Sequence, residues 1–221
     1  MSQPSALRIL QLTPKSIYPP RDGGAAASLH FVEMWMQLGW QVKTLAMSTP
    51  KHPAPPEAPF PHKNIFVDTT PRLWPALKNL LFSRQPYHVE RFWSPAYKFA
   101  LKETLATFKP HLIQVESPYL TPYVENLSIP RTYRLHNIES LIWTRLAQEK
   151  SWPLSQYLSL QARRIRQYEV AILPTYQGLL PISEKEMAFI KENGYQGLVE
   201  LIPYAIEVEA YKAPPLRKDN P

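Results

Sequence analysis

The sequence predicts an α/β protein: a parallel sheet with helices on both faces. Short apolar runs that stop at polar or turn-forming residues recur along the chain, and segments of helical spacing separate them, as strand–helix–strand crossovers require. The size agrees. A chain of 221 residues with 44% apolar and 19% charged side chains is too apolar for a disordered polymer and long enough to bury roughly 70 to 75% of its unfolded surface.

The first run, "LRILQL" (Leu7 to Leu12), closes on Thr-Pro and has the shape of a buried strand. After a loop through Pro20, apolar residues at Leu29, Val32, Trp35 and Met36 recur at helical spacing, and Gly39 follows where a helix stops. "WQVKTLAM" then returns to strand character. From Ser48 to Pro61, "STPKHPAPPEAPFP" is too rich in proline for regular structure and is expected to form an exposed, semi-rigid loop. "NIFVD" reads as a short strand, with helices expected at Leu73 to Phe82 and Pro95 to Phe108.

Four further strands are expected at His111 to Ser117, Arg131 to Asn137, Gly178 to Ser183 and Leu198 to Pro203. The longest helix is expected between Pro153 and Leu173, with Leu154, Leu158, Ile165, Tyr168 and Ile172 on one stripe and Arg163, Arg164 and Arg166 facing elsewhere. The tail loses periodicity, so residues 1–205 are expected to form one domain and 206–221 a linker.

Composition narrows the function. With 25 Lys and Arg against 18 Asp and Glu, the net charge of +7 favours phosphate-bearing partners or anionic lipid. No tract of five or more Lys and Arg and no nucleic-acid-binding motif occurs, so nucleic acid is not an expected partner. The absence of cysteine rules out disulfides and thiolate sites, and no cationic, apolar leader opens the sequence; both fit a cytoplasmic protein. No apolar run is long enough to span a bilayer.

In open α/β sheets, ligands bind beyond the carboxyl ends of strands, so the residues that follow each run are the candidates. Gly23 and Gly24 come first. Lacking β-carbons, they let a phosphate approach a helix start, or they simply make the turn into that helix. They match neither the dinucleotide fingerprint nor the Walker A loop. His136 stands between a strand and a helix, where an imidazole can bond a ligand hydroxyl. Its neighbour Asn137 is explained equally well as the next helix's N-cap, with Glu139 in the first turn. Glu116 could act as a base, but its sequence context names no partner. Ser183 opens Ser-x-x-Glu with Glu186, a capping box. Arg145, Arg163, Arg164 and Arg166, with Lys150 and Trp152 among them, form either a surface for anionic lipid or the solvated face of a helix.

The order and spacing of "LRILQLTPKSIYPPRDGGAAASLHFVEMWMQLGWQVKTLAM", "RTYRLHNIESLIWTRL", "LQARRIRQYEVAIL" and "LLPISEKEMAFIKENG", closed by "LVELIPYAIEVEAYKAPP", resemble the N-terminal half of retaining, family 4 glycosyltransferases of the GT-B fold. That resemblance implies a Rossmann-like, acceptor-binding domain, with a donor-binding domain absent from these 221 residues as its partner. It implies a nucleotide sugar as donor substrate, a glycan or lipid-linked acceptor and no obligatory metal or other cofactor. The positive charge adds the expectation of peripheral contact with the inner face of an anionic membrane. The resemblance places Gly23 and Gly24 in the glycine-rich loop that faces the donor phosphates or the acceptor, and gives His136 the catalytic position beside the transferred sugar or the acceptor. Asn137, Glu116 and Ser183, which follow strand ends, are expected with the two glycines as substrate or donor-phosphate ligands. Where the family often carries Asp after the Ser of "PIS", Glu184 or Glu186 stands here. Alone, such a half would not turn over. The contrasting expectation is a noncatalytic α/β module that binds a phosphorylated ligand or a protein partner.

Overall fold

The computed structural model describes residues 6–54 and 57–204; the expected linker 206–221 lies outside the described residues. The strands are β1 (Arg8–Thr13), β2 (Gln41–Ser48), β3 (His62–Phe66), β4 (Leu112–Val115), β5 (Arg131–Leu135), β6 (Gly178–Pro181) and β7 (Leu198–Val199). The helices are α1 (Gly23–Gln37), α2 (Leu73–Phe82), α3 (Tyr87–Arg91), α4 (Pro95–Phe108), α5 (Thr121–Val124), α6 (Glu139–Gln148), α7 (Leu154–Ile172) and α8 (Glu184–Glu192).

All strand pairs are parallel, in the order β3-β2-β1-β4-β5-β6-β7. This is the expected α/β, Rossmann-like sheet with helices on both faces. Successive side chains of β1 alternate between two buried faces. Ile9 joins Val32 and Trp35 of α1 in one core, whereas Leu10 and Leu12 join Tyr97 of α4, Ile172 of α7 and Phe189 of α8 in the larger core opposite. Gly39, expected as the stop of α1, has a φ of 76°, the left-handed conformation that closes a helix at little cost to glycine.

The departures lie at element ends. β3 begins at His62, ahead of the expected Asn64, because it is a half-exposed edge strand whose first residues carry no apolar signal. β4 and β5 stop before Glu116 and His136, which turn out of the ladder. β7 keeps two residues, although Glu200 and Ile202 still donate backbone hydrogen bonds to Leu179 and Pro181 at 3.1 and 2.9 Å. The proline-rich loop is not wholly exposed: Phe60 is buried and meets the Tyr18 ring edge-on, pinning the loop against the α1 face.

Candidate functional site

β1 leads by way of α1 to β2 on one side of the sheet, and β4 leads to β5 on the other. Between the carboxyl ends of β1 and β4 the helical connections diverge and leave a crevice. That crevice is a cleft of about 340 Å³, and Gly23, Gly24, Glu116, His136 and Asn137 all line it, joined by Lys15, Asp22, Ser28 and Tyr204.

One wall is the start of α1. Asp22 is its N-cap, accepting from Ala25 N at 2.9 Å, and its carboxylate also takes the Lys15 ammonium at 2.6 Å. Partial burial pushes the Asp22 carboxyl up, but these bonds outweigh it and hold the pKa below its ordinary value. The first N–H groups of a helix have no intrahelical acceptor, so those of Gly23 and Gly24 lie in the cleft wall beside the positive end of a 15-residue helix.

Neither glycine has a positive φ. A β-carbon at Gly23 would meet nothing within 4 Å, and one at Gly24 would make ordinary contacts at 3.4 Å with Asp22 and Lys15. The turn into α1 therefore does not require glycine at either position. What the pair provides is bare backbone facing the cleft.

The opposite wall is a carboxylate held by four polar groups. Glu116 is 4% exposed; Oε1 accepts from Gln11 Nε2 at 3.0 Å and Gln114 Nε2 at 2.6 Å, while Oε2 lies 3.1 Å from Ser28 Oγ and 2.7 Å from His136 Nε2. Burial alone would raise the Glu116 pKa. The His136 bond and charge, the Arg134 guanidinium and the Gln114 bond overcome it and hold the pKa down at about 2. Arg134 is itself buried, its guanidinium 3.8 Å above the Phe31 ring centre, so it acts on Glu116 through its field without bonding it.

Because Glu116 is ionised, His136 must present N–H at Nε2 to it. The other ring nitrogen, Nδ1, meets the Tyr204 hydroxyl at 2.8 Å. A half-exposed hydroxyl thus occupies the place on the imidazole where a ligand hydroxyl would bond.

Asn137 is exposed at the cleft rim and is not the N-cap of α6; Ile138 stands there without a side-chain cap. The free N–H groups of Glu139 and Ser140 go instead to the buried carboxylate of Glu169, from α7, at 2.6 and 3.2 Å. Burial pushes the Glu169 pKa up to about 7 despite these bonds. Ser183 caps α8, accepting from Lys185 N and bonding the Glu186 carboxylate, and does not line this cleft. Its contact with Glu186 is side chain to side chain, so only half of the expected capping box forms. Among the described residues, no group of three His, Cys, Asp or Glu side chains is placed to share a metal ion.

No protein-family model matches this sequence, and no curated protein sequence matches it either. Solved structures do. The chain is similar to a sucrose-phosphate synthase from Thermosynechococcus elongatus, with a TM-score of 0.63 at 15% identity over 93% of this chain and 50% of that one. The chain has the fold of one GT-B domain. Similar too are Os79 from O. sativa in complex with U2F and trichothecene (TM-score 0.51, 13% identity, 87% of this chain and 51% of that one) and an Os79 double variant in complex with UDP (0.54, 12%, 95% and 56%). The chain spans about half the length of each.

Lys15, Ser28 and Tyr204 also line the cleft, and sequence reasoning missed them. The signal for the Glu116 cradle was present: Gln11 and Gln114 are polar residues inside the apolar runs "LRILQL" and "HLIQV", and they come into register with each other and with Thr44. A glutamine in a buried strand needs partners, and here those partners are part of the site.

Proposed function

We propose that this domain is the acceptor-side half of a retaining, family 4-like glycosyltransferase. With a donor-binding domain it would move a sugar from a nucleotide sugar to a glycan or lipid-linked acceptor. The observation that carries this reading is the convergence, in one cleft at the switch point of the sheet, of an unobstructed helix start and an imidazole fixed by a buried carboxylate. The first suits a diphosphate: bare N–H groups at Gly23 and Gly24 supply donors, and Lys15 supplies a cation at their side. The second suits a sugar hydroxyl, whose place on His136 Nδ1 is kept by Tyr204. The Os79 double variant that shares the fold is in complex with UDP, which is in keeping with a nucleotide sugar as donor.

In a front-face retaining transfer, the bond from the anomeric carbon to the leaving phosphate oxygen breaks and one to the acceptor oxygen forms on the same face. The acceptor proton passes to the phosphate oxygen, so no protein base is consumed. The tasks left to this domain are orientation and charge. His136 holds a hydroxyl at a defined angle because Glu116 fixes the ring, and the start of α1 faces the phosphates as negative charge builds on them.

The test is expression of the whole reading frame, followed by titration with UDP-sugars and GDP-sugars and assay of donor turnover with added acceptors. Saturable donor binding with transfer supports the reading. Failure to bind or turn over any nucleotide sugar overturns it, and binding of inorganic pyrophosphate without transfer points to a noncatalytic module.

A further inference from the structure

We propose that α2, with the adjoining tip of the α6–α7 hairpin, is a surface that docks on a bilayer containing anionic lipid. A surface helix ordinarily turns its apolar stripe inward. α2 does the reverse: Leu73, Trp74, Leu81 and Phe82 are 81, 78, 64 and 82% exposed, and its one buried residue is the polar Asn79.

This inversion is built. Asn79 donates to Gln85 O and accepts from Gln161 and Arg164 of α7, and Arg164 also donates to the Asn79 and Leu80 carbonyls at 3.3 and 3.2 Å. The polar side of the helix is therefore bolted to the domain and the apolar side is held outward. Arg164 consequently does not belong to a lipid-facing arginine run, and neither does Arg166, which stacks on Phe189.

The apolar surface extends beyond α2. A groove of about 380 Å³ joins Leu73 to Trp143 and Leu146 of α6 and to Leu154 of α7, and Trp152, 79% exposed, stands just before α7. Charge selects the occupant. Arg72 is paired with Asp68 and Glu90 is bonded to Ser83, which leaves Lys78 and Arg84 as the exposed cations of this segment; Arg145 and Lys150 add exposed cations on the hairpin, against Glu149. Exposed tryptophan and leucine ringed by cations match the interface of an anionic bilayer: the apolar side chains enter the acyl boundary and the cations meet the headgroups.

The surface lies one aromatic layer from the cleft. Trp143 packs on His88 at 5.1 Å and His88 on Tyr119 at 4.4 Å, and Tyr119 lines the cleft. A docked domain would thus hold its cleft near the headgroup plane, within reach of a lipid-linked acceptor. That consequence rests on the glycosyltransferase reading; docking does not.

The test is co-sedimentation of the 221-residue chain with vesicles of phosphatidylcholine alone or mixed with phosphatidylglycerol. The mixed vesicles should pellet it, and added salt should weaken the binding. The double variant Trp74→Ser, Leu81→Ser should lose affinity by roughly tenfold or more, whereas Leu38→Ser, an exposed apolar residue at the end of α1, should bind as the parent does. Circular dichroism melting verifies that each variant folds. The proposal is overturned if the parent ignores mixed vesicles, if the double variant pellets as well as the parent, or if the double variant instead dissolves a dimer seen by ultracentrifugation. No outcome depends on donor binding, so failure of the transferase reading would leave the vesicle result standing.

Discussion

His136 and Glu116, 20 residues apart at the ends of adjacent strands, meet at 2.7 Å with the carboxylate almost wholly buried. The two act as a structural unit: Glu116 gains a donor that keeps it ionised inside the domain, and His136 gains a fixed ring.

The first prediction concerns acid stability. With a folded pKa of about 2 against an ordinary value of 4.5, Glu116 contributes stability that is fully present above about 4.5 and is lost as pH falls toward 2. Urea unfolding should show the midpoint falling over that window. Glu116→Gln should remove most of this fall while costing about 1–3 kcal/mol at neutral pH, because an amide cannot accept from all four groups. An unchanged acid profile in the variant would contradict the pairing.

His136→Ala leaves Oε2 of Glu116 with only Ser28, so a loss of about 1–2 kcal/mol is expected. If the proposed glycosyltransferase reading holds, transfer by the whole protein should fall by more, on the order of a hundredfold. His136→Gln, whose amide can still donate to Glu116, should recover stability without recovering transfer. Recovery of both would reduce the ring to a packing role.

Gly23→Ala and Gly24→Ala separate fold from function directly. Because a β-carbon fits at both positions, each variant should melt at or above the parent, by up to about 1 kcal/mol, as alanine restricts the unfolded chain. Donor or pyrophosphate affinity, measured by calorimetry, should drop. A destabilised variant would mean that the turn needs its glycines after all.

Glu169 should act in the opposite pH direction from Glu116. Its folded pKa, about 7, lies above the ordinary 4.5, so the folded state holds the proton more tightly and stability falls as pH rises from about 4.5 through 7. Glu169→Gln should flatten that slope while still accepting from the start of α6. Chemical denaturation across this range is the measurement, and a parent whose stability is level there would refute the assignment.

Part of this protein was legible in its sequence. Alternating apolar runs and helical stripes specify a parallel α/β sheet because a strand buried on both faces must be apolar throughout and each crossover must cover it. Strand ends then point to Gly23, Glu116 and His136, since a residue that leaves the ladder is free to face a ligand. What periodicity cannot express is contact between side chains distant in the chain. Gln11, Ser28, Gln114 and His136 become a cradle for Glu116 only when β1, α1, β4 and β5 are packed together. Likewise Asn137 lost its capping role to Glu169, which reaches α6 from 30 residues away. The apolar spacing of α2 marked a helix correctly but not which side would face out; Asn79, bonded to Gln161 and Arg164, decided that. Local spacing determines which elements form, and tertiary packing of buried polar groups decides where their chemistry points.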